Sequence, residues 1–303
     1  MSRHFHATKI KQYLWIMFRA VFLFSICFII LYPLLLRIAI AFQSPADVYD
    51  PTVVWIPRNF TLDNFRIAFG VMRYPESFFN SFRISILVAL LQIAVCAISA
   101  YAFARLKFVG QNILFALVIF TIVVPPQTII IPLYITFIDF WPLGGANLIG
   151  SMWPTLISTA TGMGIRAGLF IYILRQYFKG MPMELEEAAM VDGAGVLRTF
   201  LRIILPNSIP MLLTVGLFAF VWQWNDSYFA TLFMGDATLL SIRVLALGAE
   251  LYHYALGERV RDPGVISLYV NAGVLLMIGP LIVKYVFVQR YFVEGIQRSG
   301  MVG

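Results

Sequence analysis

Apolar residues in this chain are gathered into long runs, and one polar stretch stands apart from them. The runs cover residues 20–42, 85–104, 113–137, 211–232 and 265–288. Each has the roughly 20 apolar residues that a helix needs to cross a ~30 Å hydrocarbon core. One further run, the fourth in chain order and somewhere in 148–177, is interrupted by Gly162, Gly164, Arg166 and Gly168. The pattern predicts an all-α, polytopic integral membrane protein with about six transmembrane helices. The polar stretch is residues 182–206, PMELEEAAMVDGAGVLRTFLRIILP, between the fourth and fifth runs.

Composition agrees with this reading. The chain is 60% hydrophobic and 12% charged, against about 45–50% and about 25% in a soluble domain, and its mean hydropathy is +0.84. A net charge of +7 would suggest nucleic acid in a soluble protein. Here the cations lie mostly beside the apolar runs, where they set topology, and no nucleic-acid partner is expected. With the N-terminus inside, the cytoplasmic segments hold Arg3, Lys9, Lys11, Arg19, Arg105, Lys107, Arg175, Lys179, Arg198, Arg202, Arg290 and Arg298. Outside fall Arg58, Arg66, Arg73, Arg83, Arg243, Arg259 and Arg261, mostly on two long loops that count for little. Both termini and the 182–206 stretch are therefore expected in the cytoplasm. The first run is too long for a signal-peptide core and contains Arg37, so it reads as an uncleaved anchor.

Little in the chain suggests chemistry of its own. Cys27 and Cys96 fall inside apolar runs and read as small buried residues. His4, His6 and His253 have no ligand spacing, so no metal site is expected. No G-x-x-x-x-G-K-[ST] loop is present to cradle a nucleotide. No catalytic residue and no cofactor are assigned.

The polar stretch has helix signals at both ends. Gly180 can end one helix and Pro182 suits the start of another. Glu184, Glu186 and Glu187 then fall where the helix dipole favours negative charge. Asp192-Gly193 is a turn signal with Gly195 nearby. A second amphipathic helix is expected, with Val196, Phe200 and Ile203 or Ile204 on one face, Arg198 and Arg202 on another, and Pro206 limiting it. By itself such a stretch is compatible with an ordinary solvated connection. Its residue order, however, resembles the cytoplasmic EAA loop of permease subunits of ABC importers: Glu187-Ala188-Ala189, then Gly193, then Ile203-Ile204-Leu205-Pro206.

Other stretches resemble the carbohydrate-import branch of that family. They are Ala100-Tyr101-Ala102-Phe103-Ala104-Arg105-Leu106, Pro125-Pro126-Gln127 with Pro132-Leu133-Tyr134, Trp224-Asn225-Asp226, and Gln289-Arg290-Tyr291-Phe292-Val293-Glu294-Gly295. Departures are Ala230, where a proline often follows the W-N-D element, and the ending Met301-Val302-Gly303 in place of A-V-K-G. The resemblance implies a bacterial cell-membrane permease with a core at 81–292 and a coupling loop at 180–206. Residues 1–80 would form the tail, first helix and external loop, and 293–303 a short cytoplasmic tail. It implies that Glu187, Ala188, Ala189, Asp192, Gly193, Leu205 and Pro206 contact the ATPase. The implied partners are cytoplasmic ATP-binding subunits, a second homologous permease subunit, an external solute-binding protein and the lipid bilayer. The cargo would be a sugar or oligosaccharide, delivered to outer loops 43–81 and 226–264. Other ABC importer cargoes (an amino acid, a polyamine, a phosphate ester) and an ion-coupled secondary transporter are the alternatives.

Several residues within the runs allow two readings. Pro125 and Pro126 remove backbone donors from the third run, and Gly279-Pro280 repeats the device in the sixth. These are structural kinks or a path bent around substrate. Trp222, Trp224, Asn225 and Tyr228 suit either an interfacial aromatic belt or a sugar site with flat faces and an amide. Arg166, in the weak fourth run, must face protein, water or an interface, because a charge at mid-bilayer costs at least ~2.5 kcal/mol. None of the acids sits clearly at mid-membrane, which weighs against a proton-coupled carrier.

Overall fold

The structure, a computed structural model, describes residues 2–253 and 262–300, with their side chains except those of 2–10, 253, 288 and 290–300. Arg259, Arg261 and the Met301-Val302-Gly303 ending lie outside the described residues, as do the side chains of His4, His6, His253 and 290–295. Among the described residues every regular element is helical, apart from one isolated bridge between Phe140 and Ala146. The chain forms two compact units, Met1–Met72 with Ala246–Leu276, and Arg73–Leu245 with Met277–Gly303.

The first unit contains α1 (Ser2–Ala41), α2 (Asp63–Val71), the end of α13 (Leu240–His253) and the start of α14 (Pro263–Gly300). Helix α1 is apolar enough to cross a membrane over Lys11–Ala41, and none of its most apolar window is buried. Cys27, expected to be buried, lies exposed on α1, in a window of which none is buried among the described residues. The end of α1 is satisfied by the Asn64 amide, which donates to Ala41 O at 2.8 Å and Gln43 O at 2.7 Å. Ala68, Met72, Leu247, Leu268 and Ala272 form the core, and a Cβ on Gly273 would stand 2.6 Å from Leu247.

In the second unit α7 (Ala167–Gly180) and α11 (Ile209–Asn225) pack along α3 (Tyr74–Arg105), with α6 (Trp153–Ala160) beside it. Val88, Cys96, Ala100, Phe170, Leu174 and Val215 are buried there. α12 (Tyr228–Met234) adds Ala230 and Phe233 to a smaller cluster with Ile84, Val88 and Phe137.

The interruptions expected from prolines and glycines differ in outcome. The third run is α4 (Gln111–Val123), a 3₁₀ turn (Pro126–Ile129) and α5 (Ile130–Ile138), bent by 103°. At Pro280, by contrast, α14 runs on as a single helix. The fourth run is split between α6, of 8 residues, and α7, of 14, by the segment containing Gly162, Gly164 and Arg166. Gly162 (φ +81°) ends α6 in a Schellman turn, with Met163 N–H donating to Ser158 O at 2.8 Å. Lys11–Ala41, Tyr74–Arg105 and Pro263–Phe287 are long and apolar enough to cross a membrane. The third run does so as a bent pair, and the fifth does so when Val196–Asn207 is joined to Ile209–Asn225 across a 79° bend. Neither half of the divided fourth run, of 8 and 14 residues, is long enough to cross by itself.

Candidate functional site

The polar stretch folds as α8 (Glu184–Val191), a glycine turn, and a second helical stretch made of α9 (Val196–Thr199), a π-helical turn (Phe200–Ile204) and α10 (Leu205–Asn207). The turn explains the spacing between Ala189 and Gly193. Gly193 has φ +75° and Ala194 N–H donates to Ala189 O at 2.9 Å, so Gly193 is the left-handed residue of a Schellman cap. Space around Gly193 is open, so the backbone angle selects glycine there.

Helix α8 has an outward and an inward side. Glu187, Ala188, Met190, Val191 and Asp192 are exposed, Val191 at 87%. Glu186 and Ala189, three apart, are buried. The Glu186 carboxylate pairs with Arg105 Nε at 2.9 Å, with both side chains less than a tenth exposed. Arg105 ends α3, and its Nη2 also donates to Met181 O, just before α8. Alongside, Arg175 Nε donates to Phe103 O at 3.1 Å and its guanidinium lies 3.7 Å over the Phe115 ring. A helix of two turns is thus fixed to the end of α3 by a buried ion pair.

The second stretch is held by aromatic packing. Phe200 meets Tyr101 at 4.8 Å and Phe178 at 6.5 Å. Its inward residues are Thr199, Phe200 and Ile204; Val196, expected on that face, is 46% exposed. Arg198 and Arg202 point outward and, with Gly195, Val196, Leu197 and Leu201, line an open cavity of about 540 Å³. The π turn ends two residues before Pro206, whose ring would crowd the carbonyl four residues back, at Arg202. Leu205 N–H instead reaches Phe200 O. Side chains satisfy the carbonyls loosened here: Ser208 Oγ donates to Ile204 O at 2.7 Å, Asn207 Nδ2 to Ile203 O at 2.7 Å, and Tyr177 OH to Asn207 O at 3.2 Å. Leu205 is half-buried and Pro206 exposed.

The W-N-D element separates into three roles. Trp224 is buried beside Phe78 and Phe220, and its Nε1 donates to Met277 O at 3.2 Å. Asn225 returns its amide to Val221 O at 2.8 Å, and Asp226 accepts the N–H groups of Phe229 and Ala230 at the start of α12. Trp222 and Tyr228 are exposed. The Arg166 guanidinium lies 4.6 Å over the Trp222 ring, and Arg166 itself has φ +62° at the start of α7. Pro125 and Pro126 sit apart from this cluster in sequence, at the 103° break.

Residues 92–298 match the family described as the binding-protein-dependent transport system inner membrane component. The chain belongs to this family. It is therefore a permease component of an inner-membrane transport system. The osmoprotective compounds uptake permease protein GgtD of Synechocystis sp. is 35% identical over 81% of this chain and 77% of its own length. The maltodextrin transport system permease protein MdxG of Bacillus subtilis is 30% identical over 93% of this chain and 94% of its own. The fold is shared with a bacterial ABC transporter involved in import of the acidic polysaccharide alginate, with a TM-score of 0.70 at 21% identity, covering 91% of this chain and 95% of that one.

Two residues of the permease site were not singled out by sequence. Glu186 looked like one more acid in the first turn of α8, and only its place three residues before Ala189, on the same face, hinted at an inward side. Arg105 belonged to a quoted element, but its partner lies 81 residues away (186 − 105). No local pattern joins them.

Proposed function

We propose that the permease carries a sugar or oligosaccharide inward, and that α8 is the element by which separate ATP-hydrolysing subunits work it. The observation that carries this reading is the two-sided α8. Its exposed side offers Glu187, Ala188, Met190, Val191 and Asp192 to a partner, while its buried side ties any push to α3 through Glu186 and Arg105. Gly193 fixes the end of the helix, and Leu205 and Pro206 lie just before the 79° bend into α11. Small Ala188 lets a partner surface approach closely. The relatives named for maltodextrin and the alginate importer of the same fold favour a saccharide cargo.

In this reading both termini and α8 face the cytoplasm, an external solute-binding protein delivers the cargo, and a second permease subunit completes the path. Trp222 beside Arg166, with exposed Asn225 and Tyr228 near it in the chain, supplies aromatic faces and polar groups suited to a sugar, while Trp224 is buried. Nucleotide-driven closure of the ATPase pair favours one state of the permease only through its different affinity for the two. Proteoliposomes holding the whole complex test this. Saccharide uptake that needs both ATP and the ATPase subunits is the expected result. Uptake by this chain alone on an ion gradient would contradict it.

A further inference from the structure

The loop after α1 carries apolar side chains that its own core leaves uncovered. Val54, Trp55 and Ile56 are 46%, 44% and 81% exposed. They are not on a loose tip. The Asp47 carboxylate accepts the Asn59 backbone N–H at 3.1 Å and its side-chain amide at 3.0 Å. Arg58 pairs with Asp50 at 2.7 Å and donates to Thr52 Oγ1 at 2.9 Å. Gln43 Nε2 donates to Val53 O at 3.3 Å, tying the tip to the end of α1.

The tip also has a direction. The Trp55 ring meets Tyr32 edge-on, with centroids 5.4 Å apart. Tyr32 lies nine residues before the end of α1 at Ala41 (41 − 32), about 13 Å along the helix at ~1.5 Å per residue. The loop therefore folds back along the membrane-crossing segment. Tyr32 is itself exposed, on a helix with none of its most apolar window buried. The apolar tip thus prolongs the surface that α1 presents to hydrocarbon, and Asp50, Thr52 and Arg58 form a polar border at its edge.

From this continuity we infer that residues 53–57 are an interfacial lipid anchor, which seats Val54, Trp55 and Ile56 in the bilayer surface beside α1. Tryptophan suits that depth, with its ring in the apolar zone and its N–H toward the headgroups. The loop backbone, which pairs only in part, would be costly any deeper. A solute-binding protein is the rival occupant, since it would also cover exposed apolar groups. It gives no reason for the tip to turn back along α1.

The test uses the assembled complex in lipid nanodiscs, in a background where Cys27 is serine and Cys96 is alanine. Spin labels are placed at Ile56→Cys and, separately, at Thr52→Cys. Collision rates are measured with oxygen, which concentrates in lipid, and with a water-soluble nickel chelate. The oxygen-to-nickel ratio should be several-fold higher at position 56 than at 52. Equal ratios would overturn the inference, and so would a label at 56 shielded from both probes, which would place protein over the tip. Val54→Cys gives the same readout if Ile56→Cys does not assemble.

Discussion

Helices α6 and α8 stop in the same way and are followed by different surroundings. Each ends in a left-handed glycine, Gly162 at φ +81° and Gly193 at φ +75°, and each closes with a bond from the next residue back to a carbonyl of the last turn. Beyond Gly193 the chain stays in the open, and Gly195 has room for a side chain. Beyond Gly162 the backbone runs close to α3: a Cβ on Gly164 would collide with Gln92 and crowd Thr159, and the Gln92 amide donates to Ile165 O at 3.1 Å. The local stop is a matter of backbone angle. Whether it displays a helix or divides a membrane segment depends on what packs against it.

The largest effect should come from removing the support that α8 has and its stop does not supply. Arg105→Ala leaves Glu186 buried without its partner, which typically costs ~3–5 kcal/mol. Protease cleavage within 181–192 should rise sharply, and Arg105→Met with Glu186→Met together should recover most of the protection. Unchanged cleavage in the single variant would mean that the ion pair does not hold the helix.

Next in size are the stops themselves. Gly193→Ala and Gly162→Ala each place a Cβ at positive φ, at a cost of roughly 1–2 kcal/mol. Val95 stands 3.8 Å from the new Cβ at position 162 and nothing is near it at 193, so neither site adds a clash. Thermal unfolding should move by similar amounts in both, while ATPase capture should fall in the Gly193 variant alone. Equal loss of capture would erase the functional difference between the two turns.

The contrast also shows what a sequence can carry. Five apolar runs were legible because hydrophobic length is a local property, and the interrupted fourth run was legible because Gly162, Gly164 and Arg166 lie within it. The Glu187-to-Gly193 spacing was legible for the same reason, as one helix and its cap. Residues whose role depends on distant partners were not. Trp224 reads like its neighbour Trp222, yet one is buried against α14 and the other lies open beneath Arg166. Val196 keeps helical spacing with Phe200 but faces outward, and Cys27 sits in an apolar run but faces outward too. Pro280 reads like Pro125 and Pro126, yet only the pair breaks its helix.

Smaller effects sharpen the picture at the ends of other helices. Ser208→Ala removes the hydroxyl that caps Ile204 O beneath the π turn, and about 1 kcal/mol should be lost. Amide exchange over 200–208 should quicken; no change would show that water serves that carbonyl equally well. The smallest effect is expected from pH in the loop after α1. Burial alone would raise the Asp47 carboxyl, but the hydrogen bonds from Asn59 and Ser44 together hold it below the ordinary aspartate value. Its contribution is therefore complete above that ordinary value and is lost as pH falls through the lower, folded one. Amide protection over residues 44–60, taken relative to the intrinsic exchange rate at each pH, should be flat near neutrality and fall only under acid conditions, whereas a loss of protection near neutral pH would contradict the assignment.

The two sides of α8 can be compared directly. Cysteines at Ala188 and at Ala189, in the background lacking Cys27 and Cys96, are treated with a maleimide in the complex with and without its ATPase subunits. Ala188→Cys should be labelled readily once the ATPase is stripped away and be protected when it is bound, while Ala189→Cys should stay unreactive in both. Equal labelling of Ala188→Cys in the two preparations would contradict that expectation.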